Sequence, residues 1–251
     1  MQPAAGSGRR HVSLPLPGAT TPSVISIIIP TYNEGRQPLA LVDSLANLPG
    51  LGEIIIVDSS DDGLSGGVLR DIRDCGRARV VPARARGRAA QMNQGAEMAA
   101  FEILLFLHCD TRLPADAVSR VEHVLGHRRW GRFDLRLDDP GWRFRLIGHM
   151  INLRSRLTRI ATGDQAIFTR KDFFVAQGGF AGIALMEDIE FSRRAGRRSR
   201  PGLVTSPVTT SARRWISHGT VRTILLMWKL RLLYRLGADP DRLAAMYRTG
   251  R

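Results

Sequence analysis

Acidic and polar side chains gather at the ends of three short apolar runs. Residues 25–29 pass through Pro30 into Thr31-Tyr32-Asn33-Glu34. Residues 53–57 pass into Asp58-Ser59-Ser60-Asp61-Asp62-Gly63, and residues 103–107 into His108-Cys109-Asp110-Thr111. Asp110, directly behind its apolar run, suits a divalent cation that in turn binds a diphosphate. On position alone it suits equally well a helix cap near Pro114. Asp58 carries the same ambiguity, because residues 58–63 also make a good turn. Glu187-Asp188 offers two adjacent acids for proton transfer, or two ordinary first-turn residues of a helix whose dipole favours negative charge. Arg84, Arg86 and Arg88 either grip phosphate oxygens through their forked donors or line a solvated loop. His149 and His218 are scattered, and no His/Cys group has zinc spacing.

The elements that must position these residues follow from the apolar pattern. Runs 25–29, 53–57 and 103–107 are mostly β-branched or aliphatic and read as buried strands. Helix-like stretches at 39–48 and 88–100 separate them. Alternating strands and helices with continuously apolar strands predict an α/β fold, a mostly parallel sheet with helices on both faces. In such sheets ligands bind beyond the C-terminal strand ends, which is where the acids lie. A purely structural protein has no need for carboxylates along that edge. Farther on, residues 163–169 read as a strand with a polar start and 187–194 as an acidic helix start. Residues 218–236 read as an amphipathic helix. Its Leu225, Leu226, Trp228, Leu232, Leu233 and Leu236 lie among Arg222, Lys229, Arg231 and Arg235. Such a helix suits either an anionic membrane surface or packing on the core or on a second subunit, as in a homodimer.

Composition bounds the rest. A chain of 251 residues with 43% hydrophobic and 24% charged residues fits one large globular unit. With 37 basic and 23 acidic residues the formal charge is +14, which favours phosphorylated ligands, polyanions or anionic surfaces. Cys75 and Cys109 are too few for a disulfide framework and suit a cytoplasmic protein. The apolar stretch 224–228 is interrupted by Lys229 and Arg231, far short of the about 20 residues of a membrane span. Residues 1–23, with Pro15, Pro17, Gly18 and Pro22, read as a disordered lead-in and not as a signal peptide.

Taken in order, the segments at 27–34, Ile55-Ile56-Val57-Asp58, Asn93-Gln94-Gly95-Ala96, Asp110 and Glu187-Asp188 resemble the family 2 glycosyltransferases of the GT-A fold. Gly163-Asp164-Gln165, the segment 186–191 and Ser211-Ala212-Arg213-Arg214-Trp215 are similar to a small bacterial subgroup, transferases associated with radical-SAM and selenodomain genes. The resemblance runs from about residue 24 to 248. Each motif alone is weak, and five in order carry the likeness.

What the resemblance implies is specific. Residues 24–130 form a nucleotide-sugar-binding half. Residues 131–251 form an acceptor-binding half with C-terminal helices, within one compact unit. Pro30, Thr31, Asn33 and Glu34 line the nucleotide pocket, Asp58 accepts a hydrogen bond from the base, and Arg88 and Asn93 lie beside nucleotide and sugar. Asp110 matches the final acid of the Asp-X-Asp pair and binds Mn²⁺ or Mg²⁺, with His218 as a late metal ligand. Asp188 is the general base, with Glu187 positioning base or acceptor. Asp164 and Gln165 lie under the sugars, unless they form only a tight turn. Arg214 and Trp215 look like a reduced Gln-X-X-Arg-Trp motif, with Ser211 in place of Gln. His108 replaces the first acid of the pair. It serves ribose or metal there, or simply hydrogen-bonds at the strand end.

The implied activity is inverting transfer of a sugar from a nucleotide-sugar, a UDP-sugar by expectation, to a hydroxyl on a small-molecule or lipid-linked acceptor. A cytoplasmic enzyme, peripheral to the inner face of the membrane, fits that reading. Two alternatives compete. A nucleotidyltransferase shares the sheet and the metal acid, but residues 30–34 lack the Gly-rich basic phosphate loop. A basic nucleic-acid-binding module would use the +14 charge. Three tyrosines and acidic strand ends argue against it, so no specific nucleic-acid partner is expected.

Overall fold

The computed structural model describes residues 25–249. The lead-in predicted for residues 1–23 lies outside them. Three strands form as the apolar runs predict: β1 (Ile25–Thr31), β2 (Leu51–Asp58) and β4 (Ile103–Phe106). A short β3 (Arg79–Pro82) lies between them in sequence. Helices α1 (Gln37–Leu45), α2 (Gly63–Asp74) and α3 (Arg88–Met98) connect them. α2 and β3 escape the sequence reading. α2 begins inside a segment read as a turn, where Asp62 caps it by accepting the Ser65 N–H at 2.7 Å.

The second half comprises β5 (Thr111–Arg112), α4 (Ala117–Leu125), β6 (Trp130–Leu137) and α5 (Trp142–Thr158). There follow β7 (Phe168–Arg170), α6 (Lys171–Ala176), α7 (Glu187–Arg198) and β8 (Gly202–Thr210). Helices α8 (Arg213–Ser217), α9 (Thr220–Arg235) and α10 (Pro240–Thr249) close the described chain. Residues 163–169 do not form one strand. Gly163–Gln165 is a 3₁₀ turn closed by a capping box between Thr162 and Gln165, and the strand starts only at Phe168. The polar start is the turn itself, because Gln165 is consumed in its closure.

The eight strands of the described residues join one sheet in the order β3-β2-β1-β4-β7-β6-β8-β5. β1 pairs parallel with both β2 and β4, and β2 with β3. β7 then runs antiparallel against β4 and β6, while β6 and β8 are parallel. Alternate residues of each strand face opposite layers. Ile25, Ile27, Ile29, Ile54 and Ile56 pack with α1, α2 and α4 on one face. Ile28, Ile55, Val57, Leu104 and Phe106 pack with α3, α6 and α7 on the other. The sheet is thus covered on both faces, as its continuous hydrophobicity demands. α3 sits unusually close to β1, because a β-carbon at Gly95 would stand 2.4 Å from Cγ2 of Ile28.

Residues 218–236 depart from the one-sided pattern predicted. His218 ends α8, and α9 starts at Thr220. One line of α9, through Thr223, Leu226, Leu230 and Leu233, packs inward with Met186, Ile189 and Leu243. A second apolar line faces out, and the two opposed lines leave the helix with no single apolar side.

Candidate active site

The ends of β1 and β2 are tied together before any ligand arrives. Thr31 Oγ1 donates to Asp58 Oδ1 at 2.7 Å, and Ser60 Oγ donates to the same oxygen at 2.6 Å. Asn33 takes a left-handed backbone with φ 53° and folds across the gap. Its Nδ2 donates to Asp61 at 2.8 Å, and its Oδ1 accepts the Asp61 N–H at 3.0 Å. Beneath them Gln91, buried at the start of α3, donates from Nε2 to the carbonyls of Thr31 and Val57 at 2.7 and 2.8 Å. Such a staple holds two parallel strand ends in fixed register where their own ladder stops.

Above this platform opens a cavity of about 660 Å³, a size that suits a nucleotide-sugar. Pro30, Asn33, Glu34, Arg88, His108 and Asp110 line the sheet side. Asp164, Arg213, Arg214, Trp215 and His218 line the opposite side, with α5 and α9 as flanking walls. Residues separated widely in sequence and singled out for donor, acceptor and metal roles therefore share one space.

Its floor is a contact between halves. His108 Nδ1 lies 3.1 Å from Asp164 Oδ1. The imidazole rests on Gly163, where a β-carbon would stand 2.4 Å from both Cε1 and Nε2. Burial raises the Asp164 carboxyl, but the His108 hydrogen bond and the charges of His108, Arg214 and Arg88 outweigh it and hold the group below the usual carboxylate range. Glu34 behaves oppositely, raised by burial and by the nearby Asp110 charge.

Glu187 and Asp188 open α7 and adjoin a small void of about 10 Å³ that shares His108 with the main cavity. That is room for one water. Asp188 is held by two backbone donors: Gly163 N–H reaches Oδ2 at 2.9 Å and Ile189 N–H reaches Oδ1 at 2.7 Å. Met186 before them adopts φ 74°, a left-handed conformation that aims both acids inward. Burial raises the carboxyls of both Glu187 and Asp188. Asp188 adds to the rise at Glu187, and Asp164 adds to the rise at Asp188. Arg88 is the countercharge. Desolvation by the surrounding protein works against its charge even though the residue is partly solvent-exposed, but the fields of Glu187, Tyr247, Asp164 and Asp188 keep the guanidinium firmly protonated.

Other predicted residues hold the site rather than line it. Both ends of the Asn93 amide engage Phe180, donating to its carbonyl at 2.8 Å and accepting its N–H at 2.9 Å. Gln165 is fully buried against Ser155 and Thr162. Thr31 and Asp58 brace the strand ends as described. Asp110 is not a helix cap, because α4 begins at Ala117 behind Asp116. Asp188 occupies the first turn of α7 and also faces the void, so its two readings coincide. His218 Nδ1 lies 2.8 Å from Ser217 Oγ within α8's end.

Among the described residues no three His, Cys, Asp or Glu side chains form a preformed metal cage. Divalent ions beside phosphates need less, one or two carboxylates with the remaining positions filled by phosphate and water. Glu34 and Asp110 lie close enough for one charge to raise the other's carboxyl, and both face the cavity. That pair fits a hard cation.

Two functional positions escape the sequence reading. Gln91 is a polar residue on an otherwise buried helix face, a signal that a bracing role would have explained. Arg154 lines the cavity with Nε and Nη2 buried and without hydrogen-bond partners among the described residues. Burial lowers its hold on the proton. In a chain whose basic residues are nearly all arginine, nothing in the sequence sets Arg154 apart.

Residues 26–184 match the family described as Glycosyl transferase family 2. No curated protein matches the sequence significantly. Among solved structures, the mannosyltransferase PcManGT from Pyrobaculum calidifontis, in complex with GDP-Man and Mn²⁺, is similar over 89% of this chain and 68% of its own, at 17% identity and a TM-score of 0.63. S. aureus TarS 1-349 in complex with UDP is similar over 75% of this chain and 60% of its own, at 18% identity and a TM-score of 0.57. Against the longer TarS structure the chain spans 39% of that protein's length. These likenesses share the α/β architecture, and the match across residues 26–184 places the strand ends, the staple and the His108–Asp164 floor inside the family's own segment: the chain belongs to the family 2 glycosyltransferases.

Proposed function

We propose that the protein transfers a sugar, with inversion, from a nucleotide-sugar to an acceptor hydroxyl. The convergence of the strand-end residues, Asp110 and the Glu187-Asp188 pair around His108 carries this reading. UDP-sugar is the proposed donor; solved relatives are complexes with UDP, UDP-GlcNAc and GDP-Man. Asn33 and the loop between β1 and α1 hold the nucleoside, and Asp58, braced from Oδ1 by Thr31 and Ser60, keeps Oδ2 for the base. Arg88 faces the leaving diphosphate. A Mn²⁺ or Mg²⁺ ion on Asp110 and Glu34, when bound, supplies neutralising charge to that diphosphate.

In the transfer step the acceptor oxygen forms a bond to the anomeric carbon while the bond to the diphosphate oxygen breaks. The acceptor's proton passes to the Asp188 carboxylate, and the nucleoside diphosphate departs on the opposite side. Two backbone N–H groups orient Asp188, and burial makes it a stronger base than a solvated carboxylate. Glu187 shares its setting and positions it. Trp215, on the acceptor side of the cavity, offers a stacking face. Cys75 and Cys109 are both free thiols, in keeping with a cytoplasmic enzyme. The motifs at 163–165 and 211–215 support placement in the radical-SAM-associated subgroup.

The test is calorimetric titration with UDP, with and without Mn²⁺, beside Asp110→Ala. Metal-dependent binding lost in the variant is the expected result. Metal-dependent binding of GDP in place of UDP would change the donor and keep the reaction class. Absence of any nucleotide binding would overturn the transferase reading.

A further inference from the structure

Two helices that border the cavity carry apolar side chains that nothing among the described residues covers. On α5 these are Trp142, Leu146, Met150, Leu153 and Leu157; on α9 they are Val221, Leu225, Trp228 and Leu232. At about 100° per residue each set falls in one line along its helix. Each line is opposite the line that packs inward, through Phe144, Ile147, Gly148 and Ser155 on α5 and through Thr223 and Leu230 on α9. The outward lines meet the cavity, because Met150 and Trp228 belong both to them and to its lining.

Charge says what covers this face. α5 carries Arg143 and Arg145, besides Arg154 in the cavity lining and Arg156 paired with Asp134; α8 carries Arg213 and Arg214; α9 carries Arg222, Lys229, Arg231 and Arg235. None of the three helices holds a carboxylate. On α9 the helical angles put Arg222 and Lys229 along one margin of the outward line and Arg231 and Arg235 along the other. A second copy docked face to face would set like charges against like charges at close range. An apolar line between cationic margins instead matches the boundary of an anionic bilayer, where leucine and tryptophan enter the acyl region and arginines reach the headgroups. No helix among the described residues is long and apolar enough to cross a membrane, so the contact lies along the surface.

We propose that α5 and α9 form one docking face for an anionic lipid surface, which sets the cavity mouth against the bilayer and lets it take an amphiphilic acceptor from there. The docking stands apart from the transferase reading; only the acceptor's identity rests on that reading.

The experiment is sedimentation of the full chain with vesicles of phosphatidylcholine alone, or mixed with phosphatidylglycerol. Tryptophan emission and UDP binding are followed in the same samples. Leu157→Ser/Leu232→Ser is the test variant, since both side chains are exposed, at 75% and 58%, and neither lines the cavity. Expected are binding to the anionic vesicles only, a blue shift in emission, and at least about tenfold weaker binding by the variant. Each basic margin residue changed to Gln should weaken binding about fivefold. Binding that the variant retains in full and that salt abolishes without an emission shift would be plain charge attraction and would overturn the proposal. So would a dimer that the variant dissolves, with no vesicle binding by the native chain. Vesicle binding without binding of UDP or GDP would keep the docking face and remove the transferase reading.

Discussion

His108 and Asp164 meet across the floor of the cavity at 3.1 Å, although 56 residues separate them. Where the resemblance expects the first acid of a pair the chain holds an imidazole, and a carboxylate from the 3₁₀ turn at 163–165 stands beside it.

His108→Asp should therefore be harmful rather than restorative. It would set a second carboxylate beside Asp164 and remove that group's hydrogen bond, costing about 1–3 kcal/mol. Asp164→Asn added to it should recover most of the loss in a thermal melt. If the double variant melts no higher than His108→Asp alone, the pairing is not what holds the floor. Asp164 also has a signature in acid. Its depressed carboxyl stabilises the fold fully above its ordinary pKa of about 4, and this is lost as pH falls toward the folded value. Asp164→Asn should flatten that acid slope.

Glu187 and Asp188 predict the opposite slope. Their raised carboxyls mean that folding takes up protons between the ordinary carboxylate range and the folded values, so stability falls as pH rises through that window. Glu187→Gln should raise the melting temperature at neutral pH and reduce the slope. Asp188→Asn should do likewise while lowering kcat by about 10²–10⁴-fold. Equal activity in Asp188→Asn would remove it from the proton-transfer role.

Arg88 holds these acids in check. Removing it as Arg88→Met should push the Glu187 and Asp188 carboxyls higher still, because the field that opposes burial is gone. The acid limb of the kcat profile should move to higher pH. A fall in activity with an unmoved limb would confine Arg88 to the leaving diphosphate.

Gly163→Ala tests the close approach under His108. The added carbon would stand 2.4 Å from the ring, and Asp164 restrains the ring from moving aside. A stability loss of about 1–3 kcal/mol is expected from such overpacking, together with weaker donor binding. Normal melting and normal binding would show that the ring gives way freely.

Local patterns made much of this legible. The apolar runs announced β1, β2 and β4, and the polar residues behind them announced the site edge, because strand burial and strand termination are both written within a few residues. Glu187-Asp188 read as a helix start for the same reason. Asp164's reach to His108 had no local mark, since it depends on β7 pairing with β4. Asn93 and Gln165 were read as ligand neighbours, and tertiary contacts turned their amides to bracing. The sequence pattern carries no mark of α5 and predicts a one-sided α9. Each has apolar lines on opposite faces, and such a pair cancels the periodicity by which helices are recognised.

The smallest strand has the widest reach. Thr111 and Arg112 of β5 pair with Thr210 and Thr209 of β8 at the outer edge of the sheet, and Thr111 Oγ1 donates to Thr210 Oγ1 at 3.1 Å. Asp110 stands one residue before this clasp, and Ser211, leading to Arg214 and Trp215, one residue after it. The cavity wall at Asp110 and the wall at Trp215 are thus buckled together by two rungs. A displacement of α8 would therefore pull on Asp110, and a displacement of Asp110 on Trp215. Any effect that a ligand on one wall has on the binding of a ligand on the other is expected to be reciprocal.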